Sequence, residues 1–217
     1  MDPVEREKRA AAEAAAEVVD DGCTVGLGTG STVAYLLPAL ARRKERLRCV
    51  ATSEATEEAA RRLGLRVEPF ERLERLDIAI DGADQIDPAG WLIKGGGGAH
   101  TREKIVAAAA DRFIVIVSSE KLVNELTPPV PLEVLGFGVA ATLRRLGNVV
   151  LRDAPPAPDG GLIADFTGEI GDPGTLAKRL AGTPGVVEHG LFPPTLVSDI
   201  LVGQGTAVER IAGERAA

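Results

Sequence analysis

The stretch LDIAIDGAD, residues 76–84, has no polar residue between Asp77 and Asp81 and then breaks on a glycine. An apolar run without hydrophobic–polar alternation reads as a strand buried on both faces, which a parallel sheet covered by helices on two sides requires. The flanking chain supplies those helices. Upstream, Cys23–Leu27 is a short apolar run ending in glycines, and Ser31–Arg43 has helical spacing, giving strand, turn and helix in order. Arg48–Thr52 then reads as a strand, Ser53–Leu63 as a helix capped by Ser53, and Arg66–Pro69 as another strand. At the start, Asp2 and Pro3 suit an N-cap and first helical position, and the alanine-rich run continues to about Val19 before Asp21-Gly22 stops it. Downstream, TREKIVAAAADR from Thr101 predicts a helix and FIVIVSS after it a strand. Such βα alternation implies an α/β fold: an open, mostly parallel sheet with helices on both faces, its ligands beyond the carboxyl ends of the strands.

The alternation ends at Thr127-Pro128-Pro129, and Gly and Pro interruptions run to about Pro194. A smaller α+β domain over 128–202 is expected there, beside a main domain of 1–127 with 203–217. The strand-like LIADFTGEI and GVVEHGLF, the helical PGTLAKRLAG and a strand over Val197–Val202 would build it.

At 217 residues and 45% hydrophobic, the chain can bury a large core. Its formal net charge of -7 argues against a nucleic-acid or anionic-membrane surface, either of which rewards clustered Lys and Arg. An anionic ligand therefore needs a local positive site. Cys23 and Cys49 form no C-x-x-C pair and read as buried free thiols of a reducing compartment. The charged N-terminal segment is no signal peptide, and no stretch reaches ~20 uninterrupted apolar residues, so a cytoplasmic protein is expected.

Four motifs carry candidate chemistry. In Gly26-Leu27-Gly28-Thr29-Gly30-Ser31-Thr32, between a strand and a helix, backbone N–H groups can surround an oxyanion, and Thr29, Ser31 and Thr32 add hydroxyls, so a phosphate suits it. It is no dinucleotide fingerprint: Ser31 or Val33 stands where the third glycine belongs, and the Walker lysine is missing. A ligand-free glycine turn is the plainer alternative. Asp81-Gly82-Ala83-Asp84 ends a buried strand, where two carboxylates can hold sugar hydroxyls or exchange protons; an Asp-Gly turn is the alternative. Lys94 precedes four glycines, a run that lets backbone approach something closely. Thr101 is a plausible N-cap that sets Glu103 in the first helical turn, where acids also occur for the helix dipole alone. Lys121 follows the strand Phe113–Val117 and becomes a candidate only through convergence on one sheet edge. With His100 and His189 the only histidines and no Cys/His cluster, a zinc site is not expected, and His100 suits a loop or cap better than a base.

Taken together, GLGTGST, DIAIDGAD, IKGGGGAHTREKI and PGVVEHGLF resemble the type A ribose-5-phosphate isomerases, in order and across nearly the whole chain. That resemblance implies a Rossmann-like main domain with a smaller α+β lid, no metal or organic cofactor, and a homodimer or homotetramer acting on a small sugar phosphate. It puts the proton-transferring base on Glu103 and the lysine facing the reacting oxygens on Lys94, beside the Gly95, Gly96 and Gly97 backbone. The phosphate loop falls on Thr29, Gly30, Ser31 and Thr32, further substrate contacts on Asp81, Gly82, Ala83 and Asp84, and a last one on Lys121. Asp81 is the group implied to exchange a proton with the ring or anomeric oxygen. One departure is visible: Gln85 stands where the family commonly has a glutamate. A sugar-phosphate sensor would need a DNA-reading segment that no basic helix-turn-helix here supplies. KGGGGAHTREK argues against an amino-sugar phosphate isomerase or deaminase and against an acyl-CoA transferase-like hydrolase.

Overall fold

The computed structural model describes residues 2–43 and 46–215. In chain order its elements are α1 (Pro3–Glu17), β1 (Thr24–Leu27), α2 (Val33–Arg43), β2 (Arg48–Ala51), α3 (Glu54–Arg62), β3 (Arg66–Val67), β4 (Leu76–Asp81), β5 (Gln85–Ile86), β6 (Leu92–Ile93), α4 (His100–Ala109) and β7 (Ala110–Ser118). There follow β8 (Val130–Val134), α5 (Val139–Leu146), β9 (Val149–Leu151), β10 (Leu162–Phe166), α6 (Pro173–Ala181), β11 (Val186–His189), β12 (Leu191–Phe192), β13 (Asp199–Gln204) and β14 (Ala207–Ala212).

Two compact units result. The first takes the chain up to Ala83, Arg102–Lys121 and the chain from Pro194 onward. Its seven-stranded sheet has the order β14-β13-β7-β4-β1-β2-β3, parallel throughout except for the β13–β14 hairpin. Helices cover both faces, as the unalternating β4 demands. Val25 and Leu27 of β1 join a core with Ala11, Ala12, Ala15 and Ala16 of α1 and Leu36 and Leu40 of α2. Gly26, pointing the other way by the two-residue period of a strand, lies under Val106 of α4. The start of α1 is as predicted: Asp2 Oδ1 accepts from Val4 N at 3.2 Å and Pro3 opens the helix.

The second unit comprises Asp84–Thr101 and Leu122–Pro193. A four-stranded antiparallel sheet, β11-β8-β10-β9, packs Leu132, Val134, Ala164 and Phe166 against Leu146 of α5 and Leu176 and Leu180 of α6. A small sheet, β12-β6-β5, stands beside it in the same unit.

These borders correct the expected ones twice. Residues 84–101 leave the main unit because Leu92 and Ile93 pair with Leu191 and Phe192, a partnership a hundred residues long in sequence that no local pattern reveals. The strand expected over Val197–Val202 as part of the smaller domain is β13, and it extends the main sheet by pairing in parallel with β7 from Asp199↔Ile114 to Gly203↔Ser118. Local limits shift as well. The helix expected through Asp111-Arg112 stops at Ala109, because Ala110 already pairs with Leu76 in the sheet. Thr101 is not an N-cap: α4 begins at His100, and the Thr101 hydroxyl donates to the buried Glu133 carboxylate instead.

Candidate active site

In the first unit, the predicted residues gather at the carboxyl ends of β1, β4 and β7. Parallel pairing sets Leu27 beside Ile80, and Gly28 N donates to Ile80 O at 3.0 Å, so Asp81 arrives directly against the glycine turn. Asp81 is 3% exposed, and its Oδ1 accepts from Thr29 N at 3.0 Å and Gly82 N at 2.7 Å. Gly28 is obligatory here, since a Cβ would stand 1.9 Å from the Asp81 carboxyl carbon. A helix linking parallel strands runs against them, so its first turn lies at the strands' carboxyl ends. With Val106 over Gly26, Glu103 one turn earlier is brought to the end of β1 where Gly28 and Asp81 lie. Glu103 is 5% exposed. Lys121 closes a 3-10 turn, Ser119–Lys121, directly after β7, with its ammonium 3.6 Å from the Glu120 carboxylate.

The hydroxyl of Thr29 is committed inside the protein. It donates to Ser53 Oγ at 2.9 Å; Ser53 Oγ donates to Thr56 Oγ1 at 3.1 Å; Thr56 Oγ1 donates to Gly28 O at 2.9 Å. A hydroxyl has one proton, so in the 2.8 Å contact between Thr29 and Thr52 the donor must be Thr52. A one-way relay thus runs Thr52, Thr29, Ser53, Thr56 and ends on the carbonyl of the turn itself. Thr29, whose N–H goes to Asp81 and whose hydroxyl goes to Ser53, thus braces the loop in this structure. The helix α2 starts only at Val33, which leaves Ser31 and Thr32 in the turn ahead of it, Ser31 exposed and Thr32 half-buried. With Gly30 at φ 118°, they form the part of the motif suited to an anion at a helix N-terminus.

The second unit holds the other candidates. Asp84 Oδ2 accepts from Gly96 N at 2.9 Å, and Asp84 N donates to Ile93 O at 2.8 Å. Lys94 is 3% exposed; its N donates to Gly190 O at 2.9 Å and its Nζ stands 5.4 Å from the Phe192 ring centroid, a cation–π arrangement. Gly95 adopts φ 99° and packs so tightly on His100 that a Cβ would lie 2.7 Å from the imidazole, which fixes His100 as the fully buried floor of the turn. Arg152 and Asp165, absent from the expected set, flank this turn. The guanidinium binds Asp165 in a fork, Nε to Oδ2 and Nη2 to Oδ1, both 2.7 Å, while Nη1 donates to Gly96 O at 2.8 Å. Hydrogen bonding to Asp165, more than burial opposes it, raises the Arg152 pKa above its ordinary value. Gln85 also has a structural account: its Nε2 donates to Thr127 O at 2.9 Å and its Oε1 accepts from Thr127 N at 2.8 Å. An ionised glutamate would lack the donor for the first of these.

Among the described residues, no group of three or more His, Cys, Asp or Glu side chains could hold a metal ion, and no helix is long and apolar enough to cross a membrane. Cys49 is buried, which pushes its thiol up to about 12, and Cys23 is half-buried; neither forms a disulfide.

Comparison with known proteins places these features in one family. Residues 48–207 match the family model described as ribose 5-phosphate isomerase A (phosphoriboisomerase A). Ribose-5-phosphate isomerase A of Thermosynechococcus vestitus is 43% identical over 221 residues, 94% of this chain and 93% of the relative. The ribose 5-phosphate isomerase A structure from Methanocaldococcus jannaschii superposes with a TM-score of 0.88 at 35% identity, covering 94% of this chain and 97% of that one. A D-ribose-5-phosphate isomerase structure in complex with phospho-erythronic acid gives 0.91 at 33% identity, over 98% of this chain and 100% of the other. With a glycine-rich strand–turn–helix, a buried first-turn glutamate and a lysine-led glycine run in the same chain, the protein belongs to the ribose 5-phosphate isomerase A family.

Proposed function

We propose that the chain interconverts D-ribose 5-phosphate and D-ribulose 5-phosphate, a step of the non-oxidative pentose phosphate pathway, through an enediolate and with Glu103 as the base. The observation that carries this is the placing of a buried carboxylate, Glu103, in the first turn of α4 at the strand end that also carries the Gly28–Thr32 turn. The phosphate docks on Gly30, Ser31 and Thr32, with Thr29 holding the turn in shape. After the bound furanose opens, with Asp81 exchanging the proton of the ring or anomeric oxygen, Glu103 takes the C2 proton and returns it to C1, while the proton of the C2 hydroxyl passes to O1, so that the carbonyl moves from C1 to C2. Negative charge grows on the reacting oxygens during that transfer, and Lys94 with backbone N–H groups of the glycine run meets it. Gly96 N–H already serves Asp84 and Gly98 N–H serves Gly95 O, so the Gly95 and Gly97 amides are assigned to the oxyanion, Gly97 being the one whose peptide carbonyl Arg152 holds. Asp84 and Lys121 hold the sugar, and Gly82 and Ala83 give it backbone contacts. No metal or organic cofactor enters these steps. A cytoplasmic homodimer or homotetramer completes the reading.

The test is an isomerisation assay on ribose 5-phosphate in deuterated water, with and without a chelator. Turnover with solvent deuterium entering the sugar at the reacting carbon, indifferent to the chelator, is the expected result. Activity abolished by the chelator and restored by a divalent ion, or turnover of glucosamine 6-phosphate or acyl-CoA in preference to ribose 5-phosphate, would replace it.

A further inference from the structure

The geometry points to Arg152 as a positioning residue that aims one backbone donor, the Gly97 N–H, at the developing oxyanion. Gly96 O, the carbonyl of the Gly96–Gly97 peptide, accepts from Arg152 Nη1 at 2.8 Å. That peptide is trans, as the Pro128–Pro129 bond is the cis bond of the described chain, and in a planar trans peptide the N–H points opposite to the C=O. A carbonyl fixed on Arg152 therefore turns the Gly97 N–H away from Arg152. The preceding peptide is held too: Gly96 N donates to Asp84 and Gly95 O accepts from Gly98 N at 3.0 Å, with Arg152 Nη1 3.4 Å away. Four glycines in succession would otherwise leave these peptides free to rotate.

The fork explains why the cation is an arginine. Nε and Nη2 are occupied by Asp165, which leaves Nη1 as the one nitrogen facing the turn, at an angle set by the rigid guanidinium plane. A lysine has no such second edge. A cation hydrogen-bonded to a peptide carbonyl also polarises that peptide, which makes its N–H a stronger donor. Asp165 acts only through Arg152, and neither residue needs to touch substrate.

The inference rests on the isomerase reading for the catalytic use of Gly97, and two independent measurements separate them. Removing an oxyanion donor costs roughly 10²–10³ in rate, so misaiming one in Arg152→Gln should lower kcat by about 10- to 100-fold. KM for ribose 5-phosphate and inhibition by inorganic phosphate should stay within about twofold, because the phosphate loop is untouched. Arg152→Lys should recover little of the loss. Asp165→Asn should lose less than Arg152→Gln, and the double variant should be no slower than Arg152→Gln alone, since the two act in series. In nitrogen-15 correlated spectra, the Gly97 amide of Arg152→Gln should shift. A folded Arg152→Gln protein with unchanged kcat, or additive losses in the double variant, would overturn the proposal. So would an unmoved Gly97 amide, which is read without any substrate. If the wild type fails to isomerise ribose 5-phosphate, the isomerase reading falls, and the amide spectrum alone decides whether Arg152 aims Gly97.

Discussion

The two glycine-rich turns, Gly26–Thr32 and Lys94–His100, are each held by one carboxylate of Asp81-Gly82-Ala83-Asp84, yet the remaining support differs in kind. Asp81 takes Thr29 N, and behind it stands a relay of neutral hydroxyls from Thr52 to Thr56. Asp84 takes Gly96 N, and around it stand full charges, Arg152 with Asp165, and the Lys94 ammonium over Phe192. The difference suits two kinds of guest. A phosphate keeps its charge throughout a reaction, so fixed dipoles can hold substrate and transition state alike. An enediolate is charged only briefly, and a cation in a water-poor setting favours that moment over the ground state. A chain with a net charge of -7 thus places a buried lysine at the second turn, the one the proposed mechanism assigns to the developing charge.

The comparison breaks most sharply at Glu103, the group neither turn can replace. Glu103→Gln keeps size and hydrogen-bonding reach but cannot accept the C2 proton, so kcat should fall toward the upper end of the roughly 10²–10⁴ that general base catalysis supplies. Deuterium exchange into the sugar should vanish while phosphate still binds. Near-normal turnover in folded Glu103→Gln would reduce this carboxylate to a helix-dipole partner and remove the mechanism, though not the fold. Lys94→Ala comes next, with a loss of about 10²–10³ in kcat and a smaller change in KM, because the proposed mechanism matches its charge to the transient oxyanion. Equal changes in KM and kcat/KM with kcat intact would show that Lys94 merely binds sugar.

Much of this is legible in the sequence. The strand–turn–helix at 23–43, the buried strand ending in Asp81 and the first-turn position of Glu103 are local patterns, set by hydrophobic period and glycine chemistry within about fifteen residues. What stayed hidden depends on long-range pairing. Thr29 meets Thr52 and Ser53 across 23 and 24 residues, and Arg152 meets Gly96 across 56. Nothing in Thr52, Ser53 or Thr56 alone distinguishes a relay from ordinary capping hydroxyls, and Arg152 reads as one surface arginine among many. The unit borders failed for the same reason, since β6 and β13 choose partners by sheet completion rather than by neighbouring sequence.

Within the phosphate turn, the hydroxyl relay divides residues that look equivalent in the sequence. Ser31→Ala with Thr32→Ala removes donors available to the phosphate, and hydrogen bonds to charged groups are worth about 1.5–3 kcal/mol, so KM should rise by about tenfold or more with a lesser change in kcat. A double variant with unchanged KM and kcat would take the turn out of the site.

Thr29 should behave differently, and the effect should be the smallest on activity. Its proton goes to Ser53 and its lone pair receives Thr52, so Thr29→Val withdraws a link from a relay rather than a ligand from the phosphate. Thr52, 1% exposed, then loses its acceptor, and leaving buried hydroxyls unpaired costs about 1–3 kcal/mol, which should appear as a lowered Tm. KM should rise only about two- to threefold, through a looser turn, because the donors on Ser31 and Thr32 survive. Thr29→Ser keeps the hydroxyl and should match the wild type in Tm and in KM within about twofold. The opposite pattern, an unchanged Tm with KM raised as far as in the Ser31/Thr32 double variant, would mean that the Thr29 hydroxyl turns from Ser53 to the phosphate on binding. The first turn would then be a shell of direct ligands, and its contrast with the charged second turn would lie in charge alone.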